Sequence, residues 1–309
     1  MEVSQLISGV AYIEMRTRFF DECLDIYSTQ LGLTRIQDTT AVLNDKGEWE
    51  STASSESGNR EAVLQVGDSF LIIHEDQTAP AQINPDVKDP FDSVIIPTPG
   101  SVGHWSFFVE GNHHTLSHLK NFSENYRFFW TKEPSVQPMN HSYLQRSLLE
   151  FSDPNGYTIQ ISEIVDPRPE KQDRRREKQA IANLSTGGLI KGFDHINMSC
   201  PDLNDGIEMY GRKLGLPYIP DGESRVFQAG LCDIELSDIS DLQKEEPERT
   251  SGKGTVGSFG LWSDDVDSLA KKTGHPTSPE ERDIALGVRV KSIVLDVGGG
   301  FPVEILQPI

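Results

Sequence analysis

Several features are scarce in this sequence, and each scarcity argues against a class of protein. Only three cysteines occur, Cys23, Cys200 and Cys232, and they share no close spacing. A disulfide framework or a cysteine metal site is therefore not expected, and a reducing cytoplasm is the default location. No apolar run approaches the roughly 20 residues that a membrane-spanning helix needs. The N-terminus also lacks the basic start and apolar stretch of a secretion signal.

Positive charge is scarce as well. The chain has 28 Lys and Arg against 48 Asp and Glu, giving a formal net charge of -20. Such a field repels phosphate backbones and argues against nucleic-acid binding, while solubility is its simplest consequence. The 309 residues are 36% hydrophobic and 25% charged, which indicates a globular protein with a sizeable core.

An internal repeat organises what is present. Residues 19–33 and 202–216 match at a constant offset of 183, with apolar residues at i, i+4, i+7 and i+11, which is one face of a helix. The matched pairs are Phe20 and Leu203, Leu24 and Ile207, Tyr27 and Tyr210, and Leu31 and Leu214. Gly32 and Gly215 follow, where a left-handed residue would end each helix. A strand-like run precedes each helix.

A fainter pair of segments lies further along each half. Residues 103–108 match 257–262, and each leads through a predicted helix to a late β-like run; in the first run, Asp153-Pro154-Asn155-Gly156 predicts a turn between two strands. The sequence therefore predicts four units of strand, helix and further strands, here named modules A, B, A′ and B′. A polar segment, 166–189, separates the halves and reads as a linker.

The run from Phe193 to Ile219 resembles the opening of a vicinal-oxygen-chelate module, with its strand histidine, acidic helix start and tyrosine before Leu-Gly-Leu. Residues 148–162 resemble the closing hairpin of that family, which includes glyoxalases, bleomycin-resistance proteins and type I extradiol dioxygenases. The resemblance implies an α+β fold of four βαβββ modules, paired into two domains with curled, cup-like sheets. We expect a domain over 5–165 and a second over 190–309.

In this family the first and last strands of each module supply the metal ligands. If modules pair within each half, the resemblance implies a C-terminal metal site of His195, Glu235 and Glu304, with Ser258, a poor ligand, at the fourth position. Imidazole and carboxylates suit Fe²⁺, Mn²⁺, Ni²⁺ or Zn²⁺. The same residues could instead be a core histidine and two solvent-facing carboxylates.

The N-terminal half offers a weaker set. Its positions are Tyr12, Ile72 with His74 two residues on, His104 and Gln160, so that His74, His104 and Gln160 form an alternative site. His141 lies where extradiol enzymes place an acid–base histidine, but Glu150 and Gln160 replace the tyrosine and glutamate of that signature.

The resemblance therefore implies a metal-dependent enzyme, a lyase, isomerase or dioxygenase, acting on a small molecule with adjacent oxygens. A non-catalytic protein that binds or sequesters a small molecule is the alternative, and a structural relic is a third possibility. The sequence does not choose among the reactions, nor between a monomer and a homodimer.

Overall fold

The computed structural model describes residues 6–39, 41–43, 49–51, 60–79, 102–109, 137–140, 145–155, 157–164, 190–200, 202–221, 224–238, 256–284, 288–296 and 302–309. The predicted linker and His141 lie outside these residues. Linker and domain boundaries therefore stay predictions.

In the described part of the chain, the strands form two eight-stranded sheets and a small two-stranded ribbon. The N-terminal strands are β1 (Ile7–Thr17), β2 (Thr34–Asp38), β3 (Ala41–Leu43), β4 (Trp49–Ser51), β5 (Glu61–Val66), β6 (Ser69–Glu75), β7 (Val102–Val109), β8 (Gln137–Asn140), β9 (Gln145–Ser152) and β10 (Thr158–Ile164). The C-terminal strands are β11 (Ile190–Cys200), β12 (Tyr218–Asp221), β13 (Ser224–Ala229), β14 (Cys232–Asp238), β15 (Val256–Ser263), β16 (Glu280–Ile284), β17 (Val288–Asp296) and β18 (Pro302–Pro308).

The repeated helices form as the apolar spacing predicts. Helix α1 (Phe20–Leu24) continues into a π-helical segment, Asp25–Gln30, and α2 (Leu203–Gly206) continues into Ile207–Lys213. Gly32 and Gly215 follow with φ of 74° and 77°, as expected of left-handed residues. A third helix, α3, spans Val266–Thr273. Among the described residues, no helix has the length and apolar character needed to cross a membrane.

The predicted α+β fold of four βαβββ modules in curled sheets is confirmed. The strand orders, however, are β16-β17-β18-β15-β1-β6-β5-β2 and β12-β13-β14-β11-β7-β10-β9-β8. Sheet 1 thus combines modules A and B′, and sheet 2 combines modules B and A′. The expected pairing within each half is corrected by this order. The first strand of each module pairs with the first strand of its partner module. Because these strands present equivalent backbone hydrogen-bonding groups, the local sequence does not specify which modules pair.

Two hairpin turns lock the sheets together. The turn between β13 and β14 brings Gly230 against Ser8 and Gly9 of β1, and the turn between β5 and β6 brings Gly67 against Lys191 and Gly192. Both turn glycines have positive φ, and a Cβ atom would lie 2.2 Å from the Ser8 oxygen at Gly230 and 2.7 Å from the Lys191 oxygen at Gly67. Only glycine permits this approach of backbone to backbone.

Candidate functional site

The four ligand positions predicted from the sequence for modules B and A′ lie on the four central strands of sheet 2. β11 carries His195, β14 carries Glu235, β7 carries His104 and β10 carries Gln160. The register places Asn197 opposite both His104 and Glu235, so these side chains emerge on one face of the sheet. Modules B and A′ therefore contribute two positions each.

Three potential donor atoms converge on this face. The Nε2 atoms of His104 and His195 lie 3.3 Å apart, and Nε2 of His195 lies 2.9 Å from Oε1 of Gln160. For metal–donor bonds of about 2.1 Å, neighbouring donors stand roughly 3.0–3.4 Å apart, depending on coordination geometry. The separation of the two imidazole nitrogens lies within this range, and the separation of His195 from Gln160 lies just below it.

The hydrogen bonds around these atoms turn lone pairs toward one another. Nδ1 of His195 lies 3.0 Å from Oδ2 of Asp194, and the carboxylate accepts a hydrogen bond when the His195 proton is on Nδ1. The amide nitrogen of Gln160 donates to Glu150 at 2.9 Å, so the amide oxygen faces His195. With the proton on Nδ1, His195 and Gln160 present two acceptors to each other. A cation between these two acceptors would satisfy both of them.

The imidazole of His104 is neutral at physiological pH. Burial, and next the neighbouring His195, lower the pKa of His104 to about 3, while Glu235 acts in the opposite direction. A neutral imidazole has a free ring lone pair at physiological pH, and this is the form that binds metal ions.

A fully buried arginine lies behind these residues. Arg146 of β9 contacts Asp194 at 2.7 Å, Asp233 at 2.8 Å and Glu235 at 3.2 Å. The guanidinium therefore lies among three carboxylates, two of which accept hydrogen bonds from it.

Glu304, predicted as the third ligand beside His195 and Glu235, lies in sheet 1 instead. Its Oε2 accepts from the Tyr12 hydroxyl at 2.6 Å, and Arg282 also donates to it. The predicted set of three is therefore divided between the sheets, because module B′ pairs with module A. His195 and Glu235 remain together.

Sheet 1 has four positions equivalent to those of the candidate site in sheet 2, but different residues occupy them. Tyr12, Ser258 and Glu304 stand where His195, His104 and Gln160 stand in sheet 2, and Ile72 is the counterpart of Glu235. The Ser258 hydroxyl donates to Glu14 at 2.6 Å and lies 3.3 Å from the Tyr12 hydroxyl, closing a hydrogen-bonded group. Burial, and next Glu304, raise the pKa of Tyr12, so it stays a neutral phenol. These side chains satisfy one another and offer a metal few donors.

The weaker predicted set is divided as well. His104 and Gln160 lie in sheet 2, whereas His74 lies in sheet 1 between Glu14, at 3.6 Å, and Glu61, at 3.2 Å. Nowhere in the described ranges do three His, Cys, Asp or Glu side chains converge as a metal cluster. In sheet 2 the third converging donor is the amide of Gln160, and Glu235 is turned toward Arg146.

Asp194 and Arg146 were not predicted from the sequence as residues of the site. Asp194 shares the site with its neighbour His195 because β11 has a register shift between Phe193 and His195, which redirects a side chain. The Asp-His pair in the strand was a usable signal. Arg146, a charge within a strand whose Leu149 is buried, was another.

Solved structures resemble the whole chain. A candidate dioxygenase from Bacillus subtilis superposes with a TM-score of 0.61 at 15% identity, covering 98% of this chain and 86% of that one. The chain has the vicinal-oxygen-chelate fold. Glyoxalase I from Zea mays gives 0.53 at 11% identity (97% and 92% covered), and a single-residue variant of it gives 0.56 at 12% (97% and 93%). No family model matches the sequence, and no curated protein is detectably similar.

Proposed function

We propose that this protein is a metal-dependent enzyme acting on a small molecule with two adjacent oxygens. The observation that carries the proposal is the approach of His104 Nε2 and Gln160 Oε1 to Nε2 of His195 in sheet 2, at 3.3 and 2.9 Å. The likeness to glyoxalase and dioxygenase structures supports it as an analogy of fold, since a fold alone selects no reaction.

His104, His195 and Gln160 would hold the metal, and Glu235 would complete the set with one carboxylate oxygen while its Oε1 keeps the hydrogen bond from Arg146. Two imidazoles, an amide oxygen and a carboxylate suit Fe²⁺, Mn²⁺, Ni²⁺ or Zn²⁺. When bound, such an ion supplies a Lewis acid that polarises the adjacent substrate oxygens and stabilises developing negative charge.

The number of protein donors separates the candidate reactions. His104, His195 and Glu235 alone are two histidines and one carboxylate, the set that non-haem iron oxygenases use, and they leave positions for both substrate and dioxygen. With Gln160 as a fourth ligand, a bound metal would have places for the two oxygens of a chelating substrate but not for dioxygen as well. Because Gln160 Oε1 lies 2.9 Å from His195 Nε2, we favour isomerase or lyase chemistry over dioxygen activation.

Metal analysis of purified protein tests this proposal. We expect about one divalent ion per chain in the wild type, and at least a tenfold loss of metal affinity in His195→Ala and His104→Ala, because each removes a converging donor. Glu304→Gln is the matched control in sheet 1 and should keep its metal.

A wild type that binds no metal after incubation with each of the four ions would refute the proposal. Metal lost through Glu304→Gln but retained by His104→Ala would instead restore the C-terminal set. Oxygen uptake with catechols, compared with turnover of α-hydroxycarbonyl compounds without uptake, separates a dioxygenase from an isomerase or lyase.

A non-catalytic binding protein is the second candidate, and the contact between Arg146 and Glu235 favours it, since that carboxylate is already paired. Thermal stabilisation by an organic ligand, unchanged by EDTA, would support this candidate.

The proposed setting is the cytoplasm, in keeping with three buried cysteines that form no disulfide bond.

A further inference from the structure

The side chain of Arg146 contacts residues of sheet 2 that lie on strands far from its own in the strand order. It lies on β9, and the strand order β14-β11-β7-β10-β9 places it four strands from Glu235. At about 4.8 Å per strand, a flat sheet would separate these strands by roughly 19 Å. The guanidinium nevertheless lies 3.2 Å from the Glu235 carboxylate. The sheet must therefore curl so that the Arg146 side chain bridges β9 and β14.

The bridge reaches two groups of the proposed site. Nη1 donates to Oε1 of Glu235 at 3.2 Å. Nε lies 2.7 Å from Oδ2 of Asp194, the oxygen that also faces Nδ1 of His195 at 3.0 Å. A third contact joins Nη2 to Asp233 at 2.8 Å. One planar group thus donates a hydrogen bond to the candidate ligand Glu235 and forms an ion pair with Asp194, the carboxylate that faces the His195 imidazole.

We propose that Arg146 is a positioning residue that holds Glu235 and, through Asp194, His195 in metal-binding orientation; this inference rests on the proposed function. Arginine suits the task because its rigid fork addresses several carboxylates in fixed directions, whereas a lysine ammonium is a single point. Arg146 comes from module B and both groups it fixes come from module A′, so it couples the two modules at the site.

Titration of the metal-free protein with Co²⁺ tests the inference, because visible absorption reports both affinity and coordination. We expect Arg146→Lys to weaken Co²⁺ binding 10–100-fold, the usual effect of losing a group that orients metal ligands, and to alter the Co²⁺ spectrum. Arg146→Gln should weaken binding further. Arg282→Lys, which perturbs an arginine–glutamate pair in sheet 1, is the matched control and should bind like the wild type.

A role in charge balance alone predicts another pattern. Arg146→Lys would then bind Co²⁺ normally, and Arg146→Gln would bind it more tightly because a positive charge is lost. Either result overturns the positioning role. If the Arg146 variants do not fold, Asp194→Asn removes the shared intermediate and should weaken binding to a similar degree; unchanged binding there also overturns the inference.

The two proposals fail in different ways. A wild type without affinity for Co²⁺ or the four candidate ions contradicts the proposed function and Arg146 positioning together. A wild type that binds Co²⁺, with Arg146→Lys indistinguishable from it in affinity and spectrum, contradicts the Arg146 inference alone.

Discussion

At the scale of single residues, Asp153 is a buried carboxylate with a structural role. It accepts from the backbone nitrogens of Asn155 and Tyr157, at 2.9 and 2.8 Å, and from the Tyr27 hydroxyl at 3.1 Å. Asn155 in turn accepts from Thr17 at 2.6 Å. The turn after β9 is thereby fastened to module A, so that the predicted turn is confirmed but forms part of a buried contact between modules.

Asp153 should make stability depend on pH. Burial raises its pKa to about 6, against the opposing effect of hydrogen bonds from Asn155, Tyr157 and Tyr27. A raised pKa in the folded state means that the folded protein binds this proton more tightly. The resulting stabilisation is complete below the unfolded pKa of about 3.9 and is lost as pH rises through 6.

Urea unfolding of the wild type and Asp153→Asn at pH 4 and pH 7.5 measures this effect. We expect the wild type to lose up to about 3 kcal/mol relative to the variant between these pH values. An unchanged difference in unfolding free energy would show that Asp153 titrates normally.

At the scale of elements, the hairpin turns decide how the sheets meet. Gly230 combines a φ of 60° with a Cβ position 2.2 Å from the Ser8 carbonyl oxygen. Gly274, at the end of α3, has a φ of 70° but no atom within 4 Å of its Cβ position. The two glycines separate the effect of backbone conformation from that of close packing.

Thermal unfolding of two alanine variants tests this distinction. Gly274→Ala should cost about 1 kcal/mol, the penalty for a left-handed non-glycine residue. Gly230→Ala should cost roughly 2–5 kcal/mol, because the strands must also separate to admit the methyl group. Equal losses in both variants would mean that the contact with β1 does not matter.

The repeated helices show where local pattern sufficed. Apolar spacing in residues 19–33 and 202–216 places Tyr27 and Tyr210 in the core, as observed. The same spacing did not disclose the π-helical turns, in which Leu31 bonds to Ile26 and Leu214 to Met209. The wider turn depends on how each helix packs against its sheet, which a periodic pattern does not record.

At the scale of the whole molecule, the proposed site needs both halves of the chain. His104, Gln160 and Arg146 come from the N-terminal half, and His195 and Glu235 come from the C-terminal half. A fragment holding only one half keeps two of the four ligand positions.

Cutting the chain within the predicted linker, 166–189, tests this arrangement. We expect neither fragment alone to bind a divalent metal tightly, whereas co-expressed fragments should co-elute and bind about one ion per pair. Metal analysis after size-exclusion chromatography gives the answer. Tight binding by the C-terminal fragment alone would favour a site of His195, Glu235 and Glu304, formed by modules A′ and B′.

The α+β fold and the four modules follow from the sequence. Helical periodicity, strand runs and turns are local signals, and a repeat at a constant offset aligns them without a structure. The family resemblance then nominated His104, Gln160, His195 and Glu235 individually as candidate ligands.

Which of these residues come into contact depends on the pairing of the modules, which the tertiary structure shows. The first strand of every module presents equivalent hydrogen-bonding groups, so a local pattern cannot tell module B from module B′ as the partner of module A′. That choice moved Glu304 away from His195 and brought His104 and Gln160 to it. Contact across the curled sheet likewise gave Arg146 its position, because the distance between β9 and β14 depends on curvature that no short segment specifies.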